Sequence, residues 1–498
     1  MNKKTIFTIF CIGILLIGSI SCKKWLDLKP LDGIVRQDYW QTKEQVKSAV
    51  IGCYASLIGD VGRDRPISEF LFMWGELRGD MVDPAVGASS DDIDILNVNT
   101  LPTNNNVNWV SIYKTINFCN TVIDFAPGVL ANDKTFTQQQ LNNYLAEARA
   151  LRALMYFYLV RSFRDVPLKL KSTSSDPDIQ QINKTSADTI LAQIVTDLKF
   201  ADSNAVFNYG NVNENKGRIT KYTVKSILAD VYLWMEKYTE AEEACDFIIN
   251  SGQFGLIAGN NGWFDNLYYR GNSNEGIFEF QFDQQRLNNF YQMFTTSRAR
   301  FLAAPSVMED VYGIDFLDDT KKDIRGDGAA VRTSDNAIWK YIAIDFNSIR
   351  PQDASFAHWI VYRYADILLM KAEAINQLGR GAEALAIVNR IRNRARAIVQ
   401  TEKTPDPTDI NAVADYILEE RAREFAYEGK RWYDILRNAK RNNYQRLDVL
   451  LQIIAKAVPA NIQQSAIGKY RDTNSHYFPI FFYEIQANPK LEQNPFYK

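Results

Sequence analysis

Histidine is nearly missing from this 498-residue chain; there are 2, His358 and His476. A metal centre built from several imidazoles is thereby excluded. Neither sign of charge is in excess: Lys+Arg is 57 and Asp+Glu 59, a formal net charge of -2. There is no basic footprint for nucleic acid and no polybasic patch for a membrane surface. Cysteine is scarce, 5 in all, and the absence of any C-x-x-C pair excludes a disulfide framework and a zinc site. Walker A, Rossmann glycine and G-x-S-x-G patterns are all absent. The apolar run Ile6 to Ile20 is 15 residues long, short of the ~20 that a spanning helix needs.

What is present is an ordinary soluble balance, 46% hydrophobic and 23% charged, with 12% aromatics, which excludes wholesale disorder and a fibrous fold. The length suits about two to four domains or one large repeat array. Residues 1–21 read as an export leader, with Lys3 and Lys4 before the apolar run and Gly18, Ser19 and Ser21 near its end. Ser19-Ile20-Ser21-Cys22 resembles a bacterial lipobox, departing from it at Ser19, where Leu is usual. Cys22 is therefore expected to carry lipid, and several acyl chains give stable anchoring where one is marginal. Cys53, Cys119 and Cys245 read as small buried thiols on helix faces.

Helical periodicity dominates the rest. Apolar spacing predicts helices over 108–125, 138–164 and 186–202, the last opened by a Ser186 N-cap. Two later helix pairs look like repeats of one design: 222–236 with 239–250, and 362–378 with 382–397. Small residues such as Ala241, Ala244, Ala372 and Ala374 let antiparallel helices approach closely, which is similar to the tetratricopeptide pattern. The expected fold is all-α: tetratricopeptide-like helix pairs in a superhelical scaffold, with long irregular loop insertions and a few short strands. Gly276 to Phe282 alternates like one such strand. The chain divides on this reading into a leader (1–21), an N-terminal helical region (22–251), a loop-rich insertion offering the candidate ligand face (252–355) and a C-terminal region with the last helix pair (356–498).

Three segments together carry a family resemblance. Ala146-Glu147-Ala148-Arg149-Ala150-Leu151-Arg152-Ala153 runs on to Asp165-Val166-Pro167-Leu168; Arg363-Tyr364-Ala365-Asp366-Ile367-Leu368-Leu369-Met370-Lys371-Ala372-Glu373-Ala374 follows; Glu420-Arg421-Ala422-Arg423-Glu424-Phe425 through Gly429-Lys430-Arg431-Trp432-Tyr433-Asp434 closes the set. With the start Cys22-Lys23-Lys24-Trp25-Leu26-Asp27 and the end Asn488 to Pro495, the mature chain resembles a SusD/RagB-type protein of Bacteroidota. The resemblance implies a lipid-anchored outer-membrane protein exposed at the cell surface. Such a protein captures an oligosaccharide or other nutrient and sits as a lid on a SusC-like TonB-dependent transporter. Phe478-Pro479-Ile480-Phe481 departs from the family pattern, which has a second proline after Ile.

Glu420, Glu424 and Glu428 recur at i, i+4 and i+8, near one helix face, with Gly429 as the stop and Arg431 opening the next helix. Arg forks suit a network tying helices together, so this motif reads as structural rather than as an acid–base site. Asp91-Asp92-Ile93-Asp94 and Asp318-Asp319 offer oxygen ligands of the kind Ca²⁺ takes, without EF-hand spacing; no other cofactor is expected. For a sugar, flat rings stack on the pyranose C–H face while amides and charged groups satisfy its hydroxyls. The loops supply both: Trp74, Asp80 and Asn105 within the 104–106 run in one region, and Trp263, Tyr268, Tyr269, Tyr291 and Arg298 in the others. Trp234, Trp359 and Trp432 sit on helical stripes and read as core. No catalytic pair is singled out, so the expected function is binding without turnover. A helical-repeat scaffold of an outer-membrane complex and a surface glycoside hydrolase are the alternatives.

Overall fold

The computed structural model describes residues 39–59, 65–173, 180–295, 297–313, 320–397 and 404–498, with positions 2 and 318. The leader and Cys22 lie outside the described residues. The helices are α1 (Lys43–Leu57), α2 (Ile67–Glu76), α3 (Ser90–Leu96), α4 (Val110–Phe125), α5 (Gln138–Phe163), α6 (Ala187–Asn204), α7 (Lys221–Trp234) and α8 (Tyr238–Ile249). After the loop-rich stretch come α9 (Tyr364–Gln377), α10 (Gly381–Ala395), α11 (Ile410–Glu424), α12 (Arg431–Tyr444), α13 (Leu447–Ala457) and α14 (Gln463–Tyr470), alongside shorter turns of helix. Among the described residues six short strands form three two-stranded antiparallel sheets. Among these residues no helix is long and apolar enough to cross a membrane.

Helix α5 is the spine. It opens with a reciprocal capping box between Thr137 and Gln140, and from Ala150 to Phe163 every residue is buried. Ala146, Ala148, Ala150 and Ala153 keep its girth small, so α4 and α6 pack closely on it. Three of its charged residues, Glu147, Arg152 and Arg161, are buried too, each with a partner. Arg152 forks onto Asp197 of α6 at 2.8 and 2.9 Å, Glu147 takes the Arg218 fork at 2.8 and 3.0 Å, and Arg161 reaches Asp230 of α7 at 3.2 Å. Ser186 does sit at the α6 N-cap, but its hydroxyl bonds Thr189. The Asp165 carboxylate accepts the Ala187 N–H instead.

The two helix pairs expected as repeats are α7/α8 and α9/α10. Although more than a hundred residues separate them in the chain, α8 packs directly against α9. Neither pair can bury its apolar face alone, so the two stack although the insertion lies between them in the chain. Cys53, Cys119 and Cys245 are free and buried on α1, α4 and α8. Trp234, Trp359 and Trp432 are core.

The insertion is anchored at both ends. Strand β1 (Val82–Pro84) pairs with β3 (Phe301–Ala303), and β2 (Gly276–Phe280) pairs with β6 (Trp359–Arg363); the remaining pair is β4 (Val331–Arg332) with β5 (Ala337–Ile338). All five residues of β2 are buried, so its alternating sequence does not mark one wet face. Glu279 stays inside because His358 Nδ1 lies 2.8 Å from its carboxylate.

The Glu420/Glu424/Glu428 motif forms a buried ion network. Arg363, itself fully buried, bonds Glu424 Oε1 at 2.6 Å, Glu275 at 2.7 Å and Glu428 at 3.0 and 3.1 Å. Arg325 bonds Glu420 at 2.6 Å, Glu424 at 2.8 Å and Asp323 at 2.6 Å; Arg394 reaches Glu424 and Lys340 reaches Glu428. Burial pushes Glu424 up, but Arg394, Arg363 and Arg325 outweigh it and hold the carboxyl well below the usual range. The helix ends at Glu424, earlier than Gly429, so Glu428 acts from the following turn. There Tyr427 and Gly429 have positive φ, 65° and 71°. A Cβ at Gly75 of α2 would collide with the Gly429 carbonyl, so this turn and α2 touch backbone to backbone.

Candidate ligand face

The β1–β3 pairing brings the loop after α2 beside the segment around residue 300. Ala85 N–H donates to Arg300 O at 3.0 Å and Gly87 N–H to Ala299 O at 2.8 Å. Four stretches of chain then meet in one polar cluster. Arg65 comes from just before α2, Glu69 from α2, Asp91 and Asp92 from α3. Asn105 and Asn106 come from the 3-10 turn Asn105–Val107, with Asn289 and Arg300 from the insertion.

Arg65 donates to Asn106 Oδ1 at 3.2 and 3.3 Å and to Glu69 Oε2 at 3.3 Å. Asn106 Nδ2 donates to Asp92 Oδ1 at 2.8 Å, and Arg300 forks onto the same carboxylate at 2.6 and 3.1 Å. Asn289 donates to Glu69 Oε1. Asn105 binds Asp91 Oδ2 through its N–H at 3.2 Å and its amide at 2.8 Å. Asp92 also closes the α3 capping box with Ser89, which accounts for an acidic run at a helix start. Burial pushes Asp92 up, yet Arg300 and Ser89 hold it below the ordinary carboxylate range. Among the described residues no group of three or more His, Cys, Asp and Glu is placed to hold a metal ion.

The exposure is layered. The Glu69 and Asp92 side chains are 4% and 0% exposed, whereas those of Arg65 and Arg300 are 36% and 23%. The carboxylates form a buried floor that holds two partly exposed guanidinium groups at the surface. Below, Trp74 donates its indole N–H to Asn106 O at 2.7 Å. Its ring is wedged between Phe70 at 5.7 Å and Phe163 at 5.1 Å.

This geometry divides the residues singled out from sequence. Asn105 belongs to the cluster. Tyr291, half-buried, lies two residues from Asn289, and the exposed Arg298 two residues from Arg300. Trp74 is fully buried, so it supports the loop and offers no face to a ligand. Asp80 is taken by a bidentate pair with Arg431, both contacts 2.7 Å, beside a different pocket of about 290 Å³ between α11 and α13. Trp263 and Tyr268 are buried edge-to-face at 5.5 Å, and Tyr268 donates its hydroxyl to Glu428, so both wall the ion network. Tyr269 is half-buried beneath Arg350, whose guanidinium lies 4.4 Å from its ring. The residues not singled out were Arg65, Glu69, Asn289 and Arg300. Only Arg300 carried a signal, two positions from Arg298, and the rest acquire meaning through the β1–β3 pairing.

Two family models match the chain: "Starch-binding associating with outer membrane" over residues 24–233 and "SusD family" over 281–497. A SusD-like protein of Formosa agariphila is 27% identical, over 95% of each chain. Another, of Bacteroides ovatus, is 24% identical over 66% of this chain and 64% of its own. The fold is shared with a SusD superfamily crystal structure from Bacteroides vulgatus, at TM-score 0.72, 20% identity and coverage of 92% of this chain and 100% of that one. It is shared equally with B. fragilis NanU, at TM-score 0.70, 21% identity and coverage of 95% and 100%. The chain belongs to the SusD family.

Proposed function

We propose that this protein captures a glycan at the cell surface without turning it over. It is held to the outer membrane by lipid on Cys22 and hands its cargo to a SusC-like TonB-dependent transporter. The observation that carries this reading is the layered cluster, in which buried Glu69 and Asp92 fix the partly exposed guanidinium groups of Arg65 and Arg300 at the surface. Sugar hydroxyls are matched by such donors together with the exposed amide of Asn105 and the ring of Tyr291. The family description, starch binding in association with the outer membrane, agrees with it. Binding alone also suits the Glu420, Glu424 and Glu428 carboxylates, each committed to a cationic partner, since glycoside cleavage needs a pair of carboxyl groups free to move protons.

A glycan array read beside a reducing-sugar assay tests the proposal. Binding without product is expected, with Arg65→Ala and Arg300→Ala each weakening it about 10- to 100-fold, the order expected of losing one charged hydrogen bond. Released product would establish a hydrolase. Neither binding nor product would leave a scaffold.

A further inference from the structure

Away from the ligand face, the C-terminal ends of α5, α7 and α12 converge on the first turn of α6 around a cleft of about 560 Å³. Small-molecule sites commonly run from about 300 to 1,000 Å³. Val160 and Leu191 line it, and Trp234, Tyr444 and Tyr477 supply rings.

Its rim is strained. Among the described residues ten non-glycine residues have positive φ, and Arg164, Glu236, Asn443 and Tyr444 of these line this cleft. Asparagine tolerates that region, but Arg, Glu and Tyr do not adopt it without surrounding contacts that enforce it. Those contacts are present. Lys440 Nζ donates to Trp234 O at 2.8 Å, Asn442 N–H to Glu236 Oε2 at 3.2 Å and Arg164 Nη1 to Asn474 Oδ1 at 3.1 Å. Strain of this kind concentrates where a site is being shaped.

The rim also carries unused polar groups. The Asp188 carboxylate, the Asn443 amide and the Thr473 hydroxyl make no hydrogen bond among the described residues. The charges around them are mixed. Asp188, Glu236 and three helix C-termini disfavour an anion, while Arg164, Lys440 and the N-terminus of α6 disfavour a cation. A neutral molecule with donors and acceptors on every side and one flat apolar face satisfies the whole set.

We propose that this cleft is a second binding site, for a short neutral saccharide of about two rings, hydrogen-bonded by Asp188, Asn443 and Thr473 and stacked on Tyr444. It is separate from the ligand face: Trp74 packs on Phe163 at 5.1 Å and Phe163 on Phe478 at 5.9 Å, so an aromatic layer intervenes. The site goes beyond the capture reading and stands or falls independently of it.

The test is calorimetric titration of the mature chain with maltose, cellobiose and N,N'-diacetylchitobiose. At least one is expected to bind, with affinity reduced tenfold or more by the double variant Asp188→Ala/Thr473→Val and unchanged by Arg65→Ala. Both cleft substitutions are at the rim, and unaltered circular dichroism establishes that the fold is intact. If none of the three binds, or if Arg65→Ala removes binding that the cleft variant leaves untouched, the second site is overturned; the latter result leaves the ligand-face reading standing. A peptide that binds the cleft in place of all three sugars overturns it equally.

Discussion

Trp74 donates its indole N–H to the main-chain carbonyl of Asn106 across 2.7 Å, from a position with no solvent exposure. The bond ties the floor of the ligand face to the rings packed around α5. An acceptor buried at that depth has no water to fall back on. Replacing Trp74 with Phe keeps a ring but removes the donor. The expected result is a stability loss of about 1–3 kcal/mol in urea denaturation, with weakening of the proposed glycan binding although Trp74 is fully buried.

Glu424 is held by Arg325, Arg363 and Arg394 with no exposure of its own. Removing its charge leaves buried guanidinium groups uncompensated. Glu424→Gln is expected to cost about 3–5 kcal/mol in equilibrium unfolding. On the surface, Glu383 pairs with Arg380 in a well-solvated setting, and Glu383→Gln is expected to unfold like the parent. Equal stability of the two variants would contradict the structural role assigned to the network.

Glu76 gives a pH signature. Burial raises its carboxyl to about 8, against hydrogen bonds from the Gly429–Arg431 backbone. The folded protein therefore keeps a proton there that the unfolded chain releases near 4.5. Folding takes up a proton between these values, so this contribution is complete below about 4.5 and is lost as pH rises through about 8. Glu76→Gln, which cannot ionise, is expected to show a flatter stability–pH curve than the parent between pH 5 and 9, measured by thermal melts.

His476 runs the opposite way. Burial lowers it to about 4, with Tyr470 O accepting from its ring at 2.9 Å. Its stabilising effect is present above the ordinary value of 6.5 and is lost as pH falls through about 4. The parent is expected to lose melting temperature between pH 6.5 and 4 more steeply than His476→Gln.

Cys22 is expected to be the lipid acceptor. In cells fed radioactive palmitate, Cys22→Ala should abolish labelling and move the protein from the membrane fraction. Retained label would refute lipidation at this position.

Much of the scaffold was legible in one dimension. The stripe along α5 and the small residues of α7–α10 are local signals, because a helix reports its buried face every three to four residues. The charged motifs were legible as structure for a related reason: Glu420 and Glu424 lie one turn apart and demand partners. Aromatic residues in loops were not legible in this way. Trp74 and Trp263 read the same as surface stackers until the chain closes over them.

The sequence by itself determined the helix pairs, the buried cysteines and tryptophans and the structural cast of the Arg/Glu motifs, since each follows from periodicity and the cost of burying an unpaired charge. The tertiary structure alone decided which loops face each other. Arg65, Asn106, Asp92 and Arg300 span some 235 positions of chain, yet the β1–β3 pairing places them within hydrogen-bond distance. Long-range strand register leaves no local trace in composition or spacing, and the candidate ligand face depends on it.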